Sequence, residues 1–233
     1  YKQDANAPNA IVSYYAKGSL IALALDLKLR FETEGRVCLD DVMKACWERW
    51  GDSGEGMPEG GFEAVAAEVS QLNLDDFFDA SVRGTGELPL EALLHTHGID
   101  YKLRASSGSS DKGGQKPKNP KQRSVWLGAT LTETNGKSTF AAVMNGGPAE
   151  LAGVAPGDEA VALDGLQLTS ANADRRLKAY RDGDKLELVV FRGDELVTTR
   201  IRLAAAPLDT CYLELIEDVE LDVESRRMAW LHA

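Results

Sequence analysis

The sequence predicts an α+β chain, a helical part followed by a small, mainly β module. Three observations carry that reading. Apolar residues recur at helical spacing up to about residue 105. Beyond residue 122 the period changes to two. Between them, residues 106–122 contain no large apolar side chain. The expected organisation is therefore a helical part over 1–105, a flexible linker over 106–121, a β module over 122–205 and a tail over 206–233.

Within the helical part, Ile11, Tyr14, Tyr15, Leu20, Leu23, Leu27 and Leu29 keep an apolar face through a first helix of about 20 residues. Gly35 stands where that helix would stop. Asp40 and Asp41 give an acidic start to a second helix, whose apolar positions are Val42, Met43, Ala45, Cys46, Trp47 and Trp50. A Gly- and Glu-rich loop covers 51–61. A third helix follows over 62–71, and Leu74 to Phe78 open a fourth. Pro89 suits the first turn of a fifth over 90–97, with Gly98 past its end.

In the β module, strands are expected over 125–131 and 140–144, with Asn135-Gly136 as a hairpin signal between them. A short helix over 148–152 precedes a strand over 159–163 that ends at the Asp164-Gly165 turn. An amphipathic helix over 171–180 leads to a hairpin of 185–192 and 195–203. The tail holds a strand candidate over 211–216 and a short helix ending at Trp230-Leu231. Its apolar ends should pack back on the helical part.

Composition narrows the function. A length of 233 residues can bury one large core or two smaller ones. The net charge of −11 repels phosphate backbones and argues against nucleic acid as a partner. The apolar run over 20–29 is broken by Asp26 and Lys28, and no run reaches the roughly 20 residues that span a bilayer, so no membrane partner is expected. Cys38, Cys46 and Cys211 have no metal-ligand spacing, and their odd number favours a reducing compartment. Cytoplasmic placement follows. The periplasm is the alternative, because the chain opens Tyr1-Lys2-Gln3, without Met, and reads as mid-protein.

The most specific string runs from Met144 to Gly165, with Gly147-Pro148-Ala149, Ala152-Gly153-Val154, Gly157-Asp158 and Leu163-Asp164-Gly165 at fixed spacing. It resembles the bacterial type of PDZ domain, over roughly residues 122–205. Only the usual Ile is replaced, by Ala160-Val161. The resemblance implies that an extended peptide adds as a strand beside a helix. Trp126, Leu127, Gly128 and Ala129 stand where a carboxylate-binding loop should be, with the N–H groups of the last three as donors. The opposite wall would carry Ala171, Asp174, Arg175, Leu177 and Lys178. A module that packs on its parent and binds nothing is the other reading. The nearby Thr134-Asn135-Gly136-Lys137-Ser138-Thr139 imitates a phosphate-binding loop, but the first glycine of that motif falls on Leu131 and Glu133 would oppose phosphate. It reads as a hairpin turn.

The first part carries Asn6-Ala7-Pro8-Asn9-Ala10, then Tyr14-Tyr15-Ala16-Lys17-Gly18 entering a Leu-rich helix to Arg30, then Phe77-Phe78, Gly84 and Leu93-Leu94. With the PDZ-like string and the Arg226-Arg227 tail, this resembles the C-terminal portion of the glycyl aminopeptidase family. These are zinc metallopeptidases with a thermolysin-like catalytic domain and a PDZ domain. The Tyr-x-Lys-Gly element resembles that of the related aminopeptidase N family, which implies Tyr15 as the donor to the oxyanion of the tetrahedral intermediate. Tyr14 is one position off that pattern. Read from residues alone, both tyrosines are core side chains with satisfied hydroxyls.

Zinc in this family needs a His-Glu-x-x-His helix, and His95, His97 and His232 form no such motif. His95 and His97 are expected at a solvated helix end and His232 in a solvated tail. The chain is therefore expected to hold no cofactor, with zinc in the full-length parent, and to be inactive alone. The parent would release N-terminal glycine- or alanine-type residues from peptides. The expected partners are the missing N-terminal part of the same protein and a peptide or protein C-terminus at the PDZ groove. A non-catalytic PDZ adaptor is the alternative function. A regulatory subunit of a different protease is a weaker third.

Overall fold

The computed structural model describes residues 4–51, 53–108, 110–117 and 125–232, and combines helices and sheet as an α+β protein. It divides into two compact units: Ser13–Lys102 with Leu213–Ala233, and Tyr1–Val12 with Leu103–Tyr212. The division differs from a sequence boundary at residue 105 by placing residues 4–12 with the β unit. The reason is Asn9, on the short helix α1 (Ala7–Ala10). Its Nδ2 donates to Val143 O at 2.8 Å, and its Oδ1 accepts from Asn145 N at 3.0 Å.

The helical unit is built on α2 (Tyr14–Glu32), capped by Ser13 Oγ accepting from Ala16 N. Ala24, Leu25, Leu27 and Leu29 are all at most 1% exposed, because this helix is covered on two faces. One face packs with Val42 of α3 (Leu39–Trp50), Val65 and Ala66 of α4 (Gly61–Ser70), and Phe77 and Phe78 of α5 (Asp75–Phe78). The other face presents Leu27 to Leu94 of α6 (Leu90–His95) and to Ile99. Each fully buried Leu contributes about 1.5–3 kcal/mol of transfer free energy. Asp26, which interrupts the apolar run in the sequence, is a joint. Its Oδ1 accepts from Leu39 N at 2.9 Å at the start of α3, and its Oδ2 accepts from Arg30 Nε at 3.0 Å. The carboxylate thus satisfies one of the orphan amides of α3. A π-helical turn, Asp79–Arg83, continues α5.

Residues 99–105, read as part of the helical pattern, form strand β1 (Ile99–Ala105), paired with β10 (Leu208–Leu215). Ile99, Tyr101 and Leu103 alternate with Asp100, Lys102 and Arg104, a period of two that sits hidden behind the α6 pattern. Helix α9 (Leu221–Leu231) closes this unit. Arg226 Nη1 donates to Thr96 O, and its guanidinium lies 4.9 Å over the Phe31 ring. Arg227 Nη1 donates to Gly98 O at 3.0 Å. His97 is not at a solvated helix end. It is fully buried, with Nδ1 3.0 Å from Leu93 O and its ring edge-on to Trp230 at 5.9 Å. Nε2 meets no partner among the described residues. Burial holds the His97 pKa below its ordinary value, and Arg226 adds to that effect.

The stretch Ala7–Glu32 corrects the expectation that no segment is long and apolar enough to cross a membrane: by length and composition alone it is. Its C-terminal half is the core helix just described. Tyr14, Tyr15 and Leu20, towards its start, are exposed.

The β unit contains an antiparallel sheet in the order β3-β4-β5-β7-β8: Ala129–Thr134, Lys137–Val143, Glu159–Leu163, Lys185–Arg192 and Glu195–Arg202. The short β6 (Leu166–Gln167) turns back on β5, and β2 (Val125–Trp126) pairs with β9 (Ala204–Ala205). Leu186, Leu188 and Val190 alternate into the core with Phe140, Leu163 and Ile201, the one-face pattern of a half-buried strand. Asn135 and Gly136 take φ of +53° and +76° between Thr134 and Lys137, a two-residue hairpin turn rather than a phosphate loop. Asp158, 2% exposed, receives both Arg192 Nε (2.9 Å) and Nη2 (2.7 Å), and Ala155 N at 2.9 Å. Burial raises its pKa, but Arg192 and the amide outweigh it and hold the carboxyl below the usual range.

Within the expected linker, residues 106–108 and 110–117 are described, and Asp111 gathers several of their polar groups. This carboxylate accepts from Arg104 Nη1 (2.6 Å) and Nη2 (3.0 Å), from Ser107 N and Oγ (2.8 Å each) and from Gly113 N (2.9 Å). These donors push its pKa well below the carboxylate range. Residues 109 and 118–121 of that expected linker lie outside the described residues.

Two measurements check these contacts. Because the fold keeps His97 neutral, the unfolded chain binds the proton more readily. The His97 contribution is complete above about pH 6.5 and is lost as pH falls below it. Urea unfolding should show lower stability at about pH 5 than at about pH 7.5, and His97→Phe should narrow the difference. An unchanged difference in the variant contradicts the assignment. Arg192→Ala should lower stability by about 2–4 kcal/mol by stranding the buried Asp158 carboxylate, and Asp158→Asn should cost less.

Candidate functional sites

Two places present chemistry. The first is the start of α2. Tyr14 and Tyr15 stand in its first turn, 68% and 75% exposed, with ring centroids 4.2 Å apart. The expectation that residues alone favour, a pair of buried core tyrosines, is corrected here. Ser13 caps the helix, so its first-turn amides and the two phenols share one end of a 19-residue helix. The Tyr15 side chain beside Tyr14 raises the Tyr14 phenol above its ordinary pKa. Lys17 Nζ donates to Gly84 O at 3.4 Å and ties this turn to the end of the π-helical segment. Such an end can donate O–H and N–H hydrogen bonds to an anion.

The second place is a groove of about 220 Å³ in the β unit. One wall is the start of β3, from Ala129 to Leu131. The other is the short helix α8 (Ala173–Leu177), through Ala173, Asp174 and Leu177. Leu127, 3% exposed, and Val125 form its apolar base, with Trp126 beside them.

The backbone explains why this wall can bind a chain. β3 is the edge of the sheet. Met144 N donates to Gly128 O at 2.8 Å, and Ala129 stands opposite Val143. That register makes Ala129–Val143 a non-hydrogen-bonded pair, so the N–H and C=O of Ala129 point away from β4. Phe140 stands opposite Leu131 and spends both polar groups on the other side, N–H to Asp158 O (2.9 Å) and C=O to Gly157 N (2.8 Å). Leu131 therefore also turns its N–H and C=O outward. Two residues with outward polar groups at a spacing of two are the template for an added strand. The loop before them is aimed by the same bonds. Leu127 C=O accepts from Ala149 N at 2.9 Å. Across a planar trans peptide the N–H opposes the C=O, so Gly128 N–H points away from α7 (Pro148–Leu151), and Ala129 N–H points away from β4.

Of the residues read as peptide-binding, Trp126, Leu127, Ala129 and Leu177 line the groove. Gly128, with φ of +75°, is not among its lining residues. Ala171, Arg175 and Lys178 do not line it, because the helix is shorter than 171–180 and turns the face of 173, 174 and 177 inward. Sequence reasoning missed the contributions of Ser106, Gly108, Pro207 and Asp209, which come from segments read as linker and tail. Nothing in their spacing announces them.

Neither place fits a metal. Among the described residues no group of three His, Cys, Asp or Glu side chains comes together. His95 Nδ1 lies 3.8 Å from Asp100 Oδ1 with no third ligand, and His97 is spent in the core.

Fold and sites together define a two-unit α+β protein with an exposed phenol at a helix start and an edge-strand groove. Nearly the whole chain is similar to the crystal structure of an aminopeptidase N family protein from Idiomarina loihiensis, at a TM-score of 0.87 and 29% identity over 98% of this chain and 38% of that one. The chain thus shares its fold with a peptidase-family protein and spans well under half of that protein's length. Partial matches reach the HtrA-type protease AlgW with decapeptide (22% identity, TM-score 0.33, 36% of this chain and 30% of that). They also reach the serine endoprotease from Yersinia pestis (19%, 0.34, 36% and 30%). Scores this low define no fold. No protein-family model matches the chain, and no curated protein does.

Gly128 is the residue that this geometry cannot exchange. A Cβ there would stand 2.8 Å from Pro148 Cδ and 2.9 Å from Gly147 Cα, in a left-handed conformation. Gly128→Ala should lower stability by about 2 kcal/mol or more, read from the urea midpoint. A change under about 0.5 kcal/mol would mean that the loop relaxes freely.

Proposed function

We propose that this chain is the C-terminal portion of a zinc metalloaminopeptidase of the glycyl aminopeptidase kind, releasing N-terminal glycine- or alanine-type residues from peptides. The observation that carries the reading is the likeness to an aminopeptidase N family protein along 98% of the chain. The Tyr-x-Lys-Gly element at the exposed start of α2 supports it.

In this reading Tyr15 donates its phenolic O–H to the oxyanion formed when water adds to the scissile carbonyl. The phenol is an O–H donor presented from the capped end of a long helix. Among the described residues no group of three candidate ligands comes together, and in this reading the metal that would activate that water is held by the rest of the parent. The chain alone is read as inactive. Its first partner is the rest of the parent. Exposed Tyr14, Tyr15, Leu20, Met43 and Trp47 on the helical unit support a further polypeptide covering them. Nucleic acid and membrane have no place in the reading, given the −11 charge and the buried half of α2. The three cysteines form no disulfide, which suits the cytoplasm, with the periplasm as the alternative.

The β unit is read as a PDZ-type module of the bacterial kind that captures a peptide or protein C-terminus. The outward edges of Ala129 and Leu131 and the loop amides before them support this. They also favour the second reading, a non-catalytic adaptor in which the helical unit is only a scaffold.

The deciding experiment assays the full-length gene product on N-terminal glycyl and alanyl amides, with and without a zinc chelator. Chelator-sensitive release should fall by about a hundredfold or more in kcat in Tyr15→Phe, as for loss of one oxyanion donor. Wild-type activity in Tyr15→Phe removes Tyr15 from the mechanism. A full-length product with no release at all leaves the adaptor.

A further inference from the structure

We propose that the groove of the β unit admits only a short peptide end, about three residues, because the chain builds a third wall across it. The proposal rests on the C-terminus-binding reading of that groove. An edge strand beside a helix makes an open channel, along which an added strand of any length could run. Here two segments that come from neither element also line it.

The first is the loop after β1. Ser106 and Gly108 line the groove, and a Cβ on Gly108 would stand 2.7 Å from Asp174 Oδ2, so the loop lies against the first turn of α8. The second is the connection from β9 to β10, which contributes Pro207 and Asp209. Arg104 and Asp111, whose side chains are 11% and 8% exposed, pin the loop after β1 with two parallel bonds, and Asp111 also takes Ser107 and Gly113 amides. Gly114 N donates to Cys211 O at 2.8 Å, fixing the far end of the loop to β10.

The space left is short. Of the six residues of β3, only Ala129, Thr130 and Leu131 line it. At about 3.3 Å per strand residue they span about 10 Å, enough to pair with about three ligand residues. The volume of about 220 Å³ lies below the usual range for drug-sized ligands, about 300–1,000 Å³. The side chains around the base, Val125, Leu127 and Leu177, favour an aliphatic terminal residue.

The test uses the whole chain and a decapeptide pool randomised at its last three positions. The best terminal triplet is then compared as a free tripeptide, as a decapeptide and as a decapeptide amide, by calorimetry. Tripeptide and decapeptide should bind within about twofold of each other, and the amide should bind at least about tenfold more weakly. Asp111→Ala and Arg104→Ala release the wall and should make the decapeptide at least about fivefold tighter than the tripeptide. If the wild-type chain already prefers the decapeptide by about tenfold, the third wall is wrong while the groove reading stands. If no member of the pool binds, or the amide binds as well as the acid, the C-terminus-binding reading itself falls. Should both variants unfold, the wild-type length comparison still decides.

Discussion

Gly128 holds a φ of +75° between the two short strands that carry the groove, and the β unit is arranged around that turn. Its carbonyl takes Met144 N–H, and that single bond sets which residues of β3 pair with β4 and which face outward. Moving the register by one residue would turn Ala129 and Leu131 inward and Thr130 outward, and the edge would present different groups. The same turn brings the backbone against Gly147 and Pro148, so α7 and the loop interlock. The string from Gly147 to Gly165 has its physical role here: it supplies the short helix whose Ala149 N–H holds the Leu127 carbonyl, so that the Gly128 amide faces away from it.

The helical unit follows a different logic. Its organising helix is apolar on two faces, and a carboxylate in the middle of it, Asp26, is kept because it caps α3 and pairs with Arg30. At the other end the same helix leaves both tyrosines in solvent. Buried half and exposed half have separate roles, one in the core and one in the chemistry that the exposed phenols offer.

Much of this was legible in the sequence. The helices over 39–50 and 61–70 and the strands over 159–163 and 185–192 follow from periodicity within one residue or so of their limits. Trp126, Leu127, Ala129 and Leu177, named from the PDZ resemblance, line one groove. What was not legible depended on tertiary contact. Strand β1 shows its alternation only once β10, over a hundred residues later, is there to pair with it. His97 looked solvated because nothing local shows that Trp230 and α9 cover it. The acid Asp111 gathers Arg104, Ser107 and Gly113, while composition alone reads Gly, Ser and Lys as flexible. The groove wall formed by that loop was hidden for the same reason.

The most direct test of the groove geometry is backbone amide NMR of the chain during titration with a free-carboxylate peptide and with its C-terminal amide. The account predicts large shifts for the amides of Gly128, Ala129 and Leu131 with the acid, and weak ones with the amide. Thr130, whose N–H is engaged with β4, should move less than its neighbours. Shifts confined to other surfaces, or identical responses to acid and amide, would contradict it.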